Sequence, residues 1–365
     1  MIRVLHTIDT TGPGGAETVF VNLAKGLDPK HFKSIVAIRG PGWVCNSLRE
    51  NGIEPIFISS KGGFNYKYLI DLCRIIRKYR IDLVQSHLLG SNLYCSLAGL
   101  ICRVPVISTF HGFVDTSQRE RFKKLKSSLI NAGSRKIVFV SNHLKDHFIQ
   151  KSGILPSKAT TIYNGVDTST FNQKRDDSIR RELGVAPEQA LIGAIGNIRP
   201  AKGYEYLLRA ARLVLDEHPQ CRFLIAGQAT GELYNRLIEL RRNLGLENVF
   251  FFIGYRKEIE KILNNLDIYV LSSTSEGFSI STIEAIACDL PVVVTESGGP
   301  EEIVTDSVNG IVVKTKSEQS LARGILKLLR KNRLKQKTDK SYIRDNYSVK
   351  QQNEKYQKLY KEICR

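Results

Sequence analysis

Several features that would assign this chain to a class at once are missing from it. In 365 residues no apolar run reaches the roughly 18 residues that cross a bilayer, and Met1 to His6 turns polar too early for a secretory signal. The expectation is a chain that stays in the cytoplasm. Its seven cysteines, Cys45, Cys73, Cys95, Cys102, Cys221, Cys288 and Cys364, are odd in number and scattered, with no C-x-x-C spacing. That excludes a zinc ribbon or a disulfide framework and leaves reduced, mostly buried thiols. Aromatic residues do not interleave with basic ones, and no RNA-binding or helix-turn-helix signature occurs, so nucleic acid ranks last among partners. The dinucleotide fingerprint G-x-G-x-x-G is absent, as is a Gly-Lys-Ser/Thr phosphate loop. No Asp-x-Asp occurs either, which removes the usual acidic clamp for a metal on a nucleotide diphosphate. His143 and His147 stand one turn apart on a helical stretch, but no Glu follows the first and no third ligand completes a metal set.

What the chain does have is length and positive charge. It is too long for one ordinary core and suggests two domains, each large enough to bury its own. Lys and Arg number 54 against 36 Asp and Glu, a formal net charge of +18. Up to Thr170 the count is 23 against 11, so about +12 of the excess falls in the first half. This favours anionic neighbours such as phosphorylated substrates and lipid headgroups. Between Ser117 and Lys136, Arg119, Arg121, Lys123, Lys124, Lys126, Arg135 and Lys136 accompany Phe122, Leu125, Leu129 and Ile130 at helical spacing. Such a helix can lie on an anionic membrane face, or it can present a solvated basic side while packing on a core.

Strand-like and helix-like patterns alternate along the chain. Arg3–Ile8, Ser34–Ile38, Glu54–Ile58, Leu83–Ser86, Pro105–Thr109 and Lys136–Val140 read as strands with helical periodicity between them. The polar run Thr168–Asp177 reads as a hinge, after which the alternation restarts at Leu191. The expected fold is therefore α/β, two doubly wound parallel-sheet domains over residues 1–167 and 168–345. The tail from Ser317 reads as two or three basic helices, the last of them, 346–365, crossing back to the first domain through Tyr347, Tyr356, Leu359, Tyr360 and Ile363.

Ligands of such sheets bind beyond the carboxyl ends of the strands. After the first strand, Gly14 and Gly15 either let backbone approach a ligand closely or serve only a tight turn. His87 and His111 follow two other strands, each a site residue or a capped structural histidine, with Gly112 opening space beside His111. In the second half, Gly196-Asn197-Ile198-Arg199-Pro200-Ala201-Lys202-Gly203 fills the first strand-to-helix turn. Arg199 can fork onto phosphate oxygens there and Lys202 can add a point charge, unless the turn is only a solvated basic loop. The centre of the pattern is Ser275 to Ala285. The strand Ile268–Leu271 runs through a Gly-containing turn into a helix, so Gly277, Phe278, Ser279 and Ile280 can present amides to an anion. Glu276 precedes that helix, and Glu284 lies within about 10 Å of the anion position at 1.5 Å per residue. One carboxylate can face the reacting end of a phosphorylated ligand and the other a sugar hydroxyl. Read alone, the two are also an ordinary N-terminal acid and a surface helix residue.

Taken in order, Gly14-Gly15, His111-Gly112, Asn164-Gly165-Val166-Asp167, Arg199 with Lys202, Glu276 separated by seven residues from Glu284, and Ser297-Gly298-Gly299-Pro300-Glu301 resemble the retaining glycosyltransferases of family 4. The resemblance spans nearly the whole chain. It implies the GT-B fold, two Rossmann-like domains facing across a cleft, and a nucleoside diphosphate sugar, expected to be UDP-linked, held mainly by the second domain. It implies that Arg199 and Lys202 bind the diphosphate and stabilise it as it leaves, that Glu284 binds the ribose and Glu276 the donor sugar hydroxyls, and that His111 sits near the reacting carbon. The amides from Gly277 to Ile280 would take sugar and phosphate oxygens, Gly15 would approach the donor, and Tyr255 and Arg256 fall where the base is read. Retention of anomeric configuration without metal or cofactor is implied as well. The chain departs from the family at Ser279, Ser281 and Thr282, where extra hydroxyls are expected to enter the phosphate or sugar site. It also departs at Asp289, where Gly is commoner and a surface change is expected. The resulting expectation is a cytoplasmic hexosyltransferase, peripheral on the inner face of the membrane, extending a glycan or lipid-linked saccharide in cell-surface polysaccharide biosynthesis. The alternatives are a small soluble acceptor and a non-catalytic nucleotide-sugar or polyanion binder.

Overall fold

The computed structural model describes all residues except 59–64, 114–121, 175, 305–308 and 331–339. Arg119 and Arg121 of the basic segment lie outside the described residues. The chain divides into two compact units, Met1–Gly165 with Val349–Arg365, and Val166–Ser348.

In the first unit, strands β1 (Ile2–Ile8), β2 (Phe32–Ile38), β3 (Ile56–Phe57), β4 (Leu83–His87), β5 (Val106–Phe110), β6 (Lys136–Phe139) and β7 (Ala159–Thr161) form one sheet in the order β3-β2-β1-β4-β5-β6-β7. Every pairing in it is parallel. The chain starts in the middle, winds to one edge, then returns beside β1 to build the other half. That leaves a switch point between β1 and β4, where the outgoing loops part and a ligand can enter. Helices cover both faces, so central strands are buried throughout. Within β4, however, the buried residues include Gln85, Ser86 and His87, which must find partners inside the sheet. The last helix, Val349–Ile363, sets Tyr356 and Tyr360 in a core cluster with Val4, Leu23, Phe32, Leu83 and Ile107.

The second unit repeats the winding with strands β8 (Leu191–Ile195), β9 (Arg222–Ala226), β10 (Phe250–Phe252), β11 (Ile268–Leu271), β12 (Val292–Thr295) and β13 (Gly310–Val313), in the order β10-β9-β8-β11-β12-β13. Its switch point lies between β8 and β11. The apolar side of the helix Tyr204–Glu217 packs Leu207, Leu208, Ala211 and Val214 against Ile192, Phe223 and Val270.

Three elements depart from the periodicity. β7 is short and half-buried, with no strong apolar run, and β13 is a four-residue strand that opens with Gly310, where a Cβ would meet the Val292 carbonyl oxygen at 2.5 Å. The polar run read as a hinge belongs to the second unit and leads into a helix, Ser178–Leu183. That helix is fixed from a distance, since Arg180 pairs with Asp267 and donates to the carbonyls of Asn265 and Gln189.

Candidate functional site

At the carboxyl ends of β8 and β11 two loops are sewn together. The first, Gly196–Gly203, is anchored at its start to the loop leaving β9. Asn197 Oδ1 accepts from Gln228 N at 2.9 Å, and Ile198 N donates to Gln228 O at 3.0 Å. Its end is anchored to the loop leaving β11, where Ser272 Oγ donates to Lys202 O at 2.9 Å and Thr274 N to Ala201 O at 2.7 Å. Between these anchors Arg199 is exposed. Lys202 instead runs back over Gly196, whose absent Cβ would lie 2.9 Å from Lys202 Cε, and donates to Glu276 Oε1 at 2.6 Å. Ser273 Oγ donates to the same oxygen at 2.7 Å. The pair is largely buried, with side-chain exposures of 22% and 14%, so each charge holds the other in place.

The turn after Glu276 is shaped from the other side by the loop after β12. Glu276 N donates to Ser297 O at 2.8 Å. A Cβ on Gly299 would stand 2.5 Å from Gly277 O, so the two backbones touch because that position has no side chain. The helix Ile280–Ala287 then starts with Ser279 as its N-cap. Among the described residues the amides of Gly277, Ser279 and Ile280 donate to no acceptor, which leaves donors at a helix start for an anion to fill. The extra hydroxyls expected to enter this site do not reach it. Ser279 Oγ accepts from Thr282 N at 3.3 Å and from Thr282 Oγ1 at 2.7 Å, while Ser281 Oγ pairs with Tyr269 OH at 2.6 Å. All three hydroxyls are committed to capping and packing. Phe278 is buried and packs on Tyr347.

Glu284, one turn further along, is half-buried. Burial, with repulsion from Glu260 second, pushes its carboxyl up to about 7. Tyr255 is 48% exposed, whereas Arg256 pairs with Glu182 and donates to Ile253 O at 3.1 Å, so its guanidinium is engaged with the fold. Asp289 is not a surface change. It is 8% exposed with φ +70°, at the left-handed position of a helix C-terminus where Leu290 N donates to Ala285 O and Asp289 N to Ile286 O. Glycine is favoured there because it has no Cβ to strain.

In the first unit, Gly14 caps the helix Gly15–Lys25 in an extended conformation, and the Glu17 carboxylate folds over it, 2.4 Å from where a Cβ would stand. His111 Nε2 lies 2.8 Å from His87 Nδ1. Its other nitrogen, Nδ1, is buried without a hydrogen-bond partner. Burial lowers His111 to about 3 and His87 well below its usual value, with neighbouring His111 and His6 adding to the latter, so both rings are neutral near pH 7. Two residues here escaped the sequence reading. Asp9, just past β1, accepts from the amides of Gly90 and Ser91 and lies 4.0 Å from Arg39, and burial raises its carboxyl. Gln85 lies inside β4. The signal available for both was a polar residue in, or ending, an apolar strand. His143 and His147 pack edge-on against Phe113. Among the described residues no group of three or more His, Cys, Asp or Glu could hold a metal ion, and no helix is long and apolar enough to cross a membrane. All seven cysteines are free thiols, five of them buried.

Two parallel sheets with this winding make a GT-B fold, the architecture of nucleotide-sugar transferases. Anabaena HepE in complex with UDP and glucose shares it at a TM-score of 0.89, with 22% identity over 99% of this chain and 100% of that one. Residues 13–170 match the family model described as Glycosyltransferase Family 4, and residues 175–346 match Glycosyl transferases group 1. An uncharacterised glycosyltransferase of Methanocaldococcus jannaschii is 30% identical, the alignment covering 67% of this chain and 64% of that protein. The UDP-Gal:alpha-D-GlcNAc-diphosphoundecaprenol alpha-1,3-galactosyltransferase of Escherichia coli is 26% identical over 72% of this chain and 70% of its own length. The chain belongs to the GT-B glycosyltransferases of the family-4-like type.

Proposed function

We propose that the protein is a retaining, metal-independent hexosyltransferase. It moves a sugar from a UDP-sugar to a lipid-linked saccharide or growing glycan of the cell surface, working at the cytoplasmic face of the membrane. The observation that carries this reading is Lys202, held 2.6 Å from Glu276 Oε1 beside the open amides of Gly277, Ser279 and Ile280. A diphosphate seated on those amides draws Lys202 and Arg199 onto its oxygens. Glu276 is thereby freed to accept from hydroxyls of the attached sugar, and Glu284 takes the ribose. The cations then neutralise the charge that develops as the diphosphate leaves, the work a metal does elsewhere. His111 meets the donor sugar. The UDP-linked donor is supported by the ligand of HepE, and the lipid-linked acceptor by the name of the E. coli relative.

Membrane contact is part of the same proposal. At the start of the helix Lys123–Gly133, Phe122 and Leu125 are exposed beside Lys123, Lys124 and Lys126, an amphipathic basic surface.

The test is an assay over a panel of nucleoside diphosphate sugars with a polyprenyl-diphosphate saccharide acceptor. Lys202→Ala is expected to lower kcat by about 100-fold or more, the cost of roughly 3 kcal/mol for one preorganised donor, in a protein that folds normally. Turnover is expected to survive chelation of divalent metals, and NMR of the product to show the anomeric configuration kept. Unchanged kcat in the variant overturns the assignment.

A further inference from the structure

The first unit buries a line of polar side chains that runs from the last helix to His111. Tyr360 OH donates to Gln85 Oε1 at 3.0 Å. Gln85 Nε2 lies 2.9 Å from Thr109 Oγ1, 3.3 Å from Ser86 O and 3.2 Å from His87 Nε2. His87 Nδ1 in turn meets His111 Nε2 at 2.8 Å. Gln85, His87, Thr109 and Tyr360 are all 0% exposed.

The chemistry of these atoms sets the direction of the line. The Ser86 carbonyl oxygen only accepts, so the group facing it is the Gln85 amide nitrogen and not the amide oxygen. An amide nitrogen only donates, its two protons shared among these three neighbours, and a second N–H facing it at 3.2 Å would oppose donor to donor, so His87 Nε2 is the bare, accepting nitrogen of a neutral ring. Its proton therefore sits on Nδ1 and is given to His111 Nε2, and His111 carries its own proton on Nδ1. The geometry of the pair agrees. The ring centroids are 5.1 Å apart with planes 19° from parallel, and the 2.8 Å N···N distance plus the two ring radii accounts for that whole separation. The rings thus lie edge to edge, centroid and nitrogens in a straight line along the lone pair. His111 Nδ1–H is left as a buried donor with no acceptor, a costly arrangement unless a ligand completes it.

We propose that Gln85 and His87, held by Tyr360 of the last helix, are positioning residues that lock His111 in the Nδ1–H tautomer, so that it presents a hydrogen-bond donor to an oxygen of the bound sugar. This rests on the reading that His111 meets the donor sugar. With the opposite tautomer the same ring would offer only a lone pair, which can accept from a sugar hydroxyl but cannot donate to a ring or glycosidic oxygen.

The experiment is long-range proton–nitrogen NMR on the full chain labelled at histidine nitrogen, with His111 assigned through His111→Asn. The expected spectrum has His111 protonated at Nδ1 and bare at Nε2, unchanged between pH 6 and pH 8. Gln85→Glu replaces the donor by a carboxylate, which still accepts from Tyr360 OH but now also accepts from His87 Nε2–H and so reverses the two bonds that the histidines make. His111 is then expected to carry its proton on Nε2, with kcat lower by about tenfold or more and affinity for UDP unchanged. Should that variant not fold, Gln85→Met keeps the volume and removes the donor, and both His111 nitrogens are expected to give averaged signals. A wild-type spectrum with the proton on His111 Nε2, or variant spectra identical to wild type, overturns the proposal. A wild type with the expected tautomer but no turnover of any nucleotide sugar leaves the lock standing and sinks the functional reading instead.

Discussion

Glu284 carries a proton equilibrium near neutrality, and its sign can be worked through. Its carboxyl is raised from the usual 4.5 to about 7, so the fold prefers the neutral form. The stability this residue allows is intact below about pH 4.5 and is lost as pH rises through about 7. Glu284→Gln should therefore match wild type near pH 4 and exceed it at pH 8, by about 2 kcal/mol once partial exposure is allowed for. Urea unfolding at the two pH values measures this, and an equal difference at both would count against it. On the ribose role proposed for Glu284, the same variant should lose most of the thermal shift that UDP gives. At this scale the sequence was informative where a charge had one use. Lys202 and Glu276 could be placed because a cation and an acid flank two strand-to-helix turns. The hydroxyls of Ser279, Ser281 and Thr282 could not, because whether a hydroxyl caps a helix or faces a ligand is decided by a rotamer, and Tyr269, which takes up Ser281, lies twelve residues upstream.

The functional elements of the second unit are loops that hold one another by backbone contact. Gly299 is one of the tight junctions, its missing Cβ 2.5 Å from Gly277 O and 2.7 Å from Phe278 Cα. Both obstacles are backbone, so neither can swing aside, and Gly299→Ala must shift the turn that presents the open amides. UDP affinity should fall about tenfold or more, as expected for misplaced anion donors, while far-UV circular dichroism stays unchanged. Calorimetric titration reads the first, and an unaltered affinity would show that the turn is not the anion site. Strands such as β8 and β11 and the helix Tyr204–Glu217 were legible because each buries an unbroken apolar run or face. The helix Ser178–Leu183 was not, since it is held by Arg180 reaching Asp267, Asn265 and Gln189, pairings that local periodicity does not record.

Across the whole molecule, the chain leaves the first unit after Gly165 and re-enters it at Val349. Next to those crossings Val166 N donates to Tyr347 O at 2.7 Å, and Val166 pairs with Ser348. The last helix thus completes the core in which the first strand begins, and Tyr360 reaches Gln85 across 275 positions. The apolar spacing of that helix could be seen in advance, but not which buried amide it would orient. Net charge acts at the same scale. Besides the basic excess up to Thr170, Lys123, Lys124 and Lys126 adjoin the exposed Phe122, 74%, and Leu125, 58%, so electrostatic attraction and apolar insertion should act together on an anionic bilayer. Vesicles containing anionic lipid should bind the full chain at low salt and release most of it at about 0.5 M, where the Debye length falls well under 10 Å. Phe122→Ser with Leu125→Ser should weaken binding several-fold and leave turnover of a soluble acceptor analogue unchanged. Absence of binding at low salt would instead point to an acceptor free in solution, because a polyprenyl-linked saccharide can be reached only by an enzyme that works at the lipid surface.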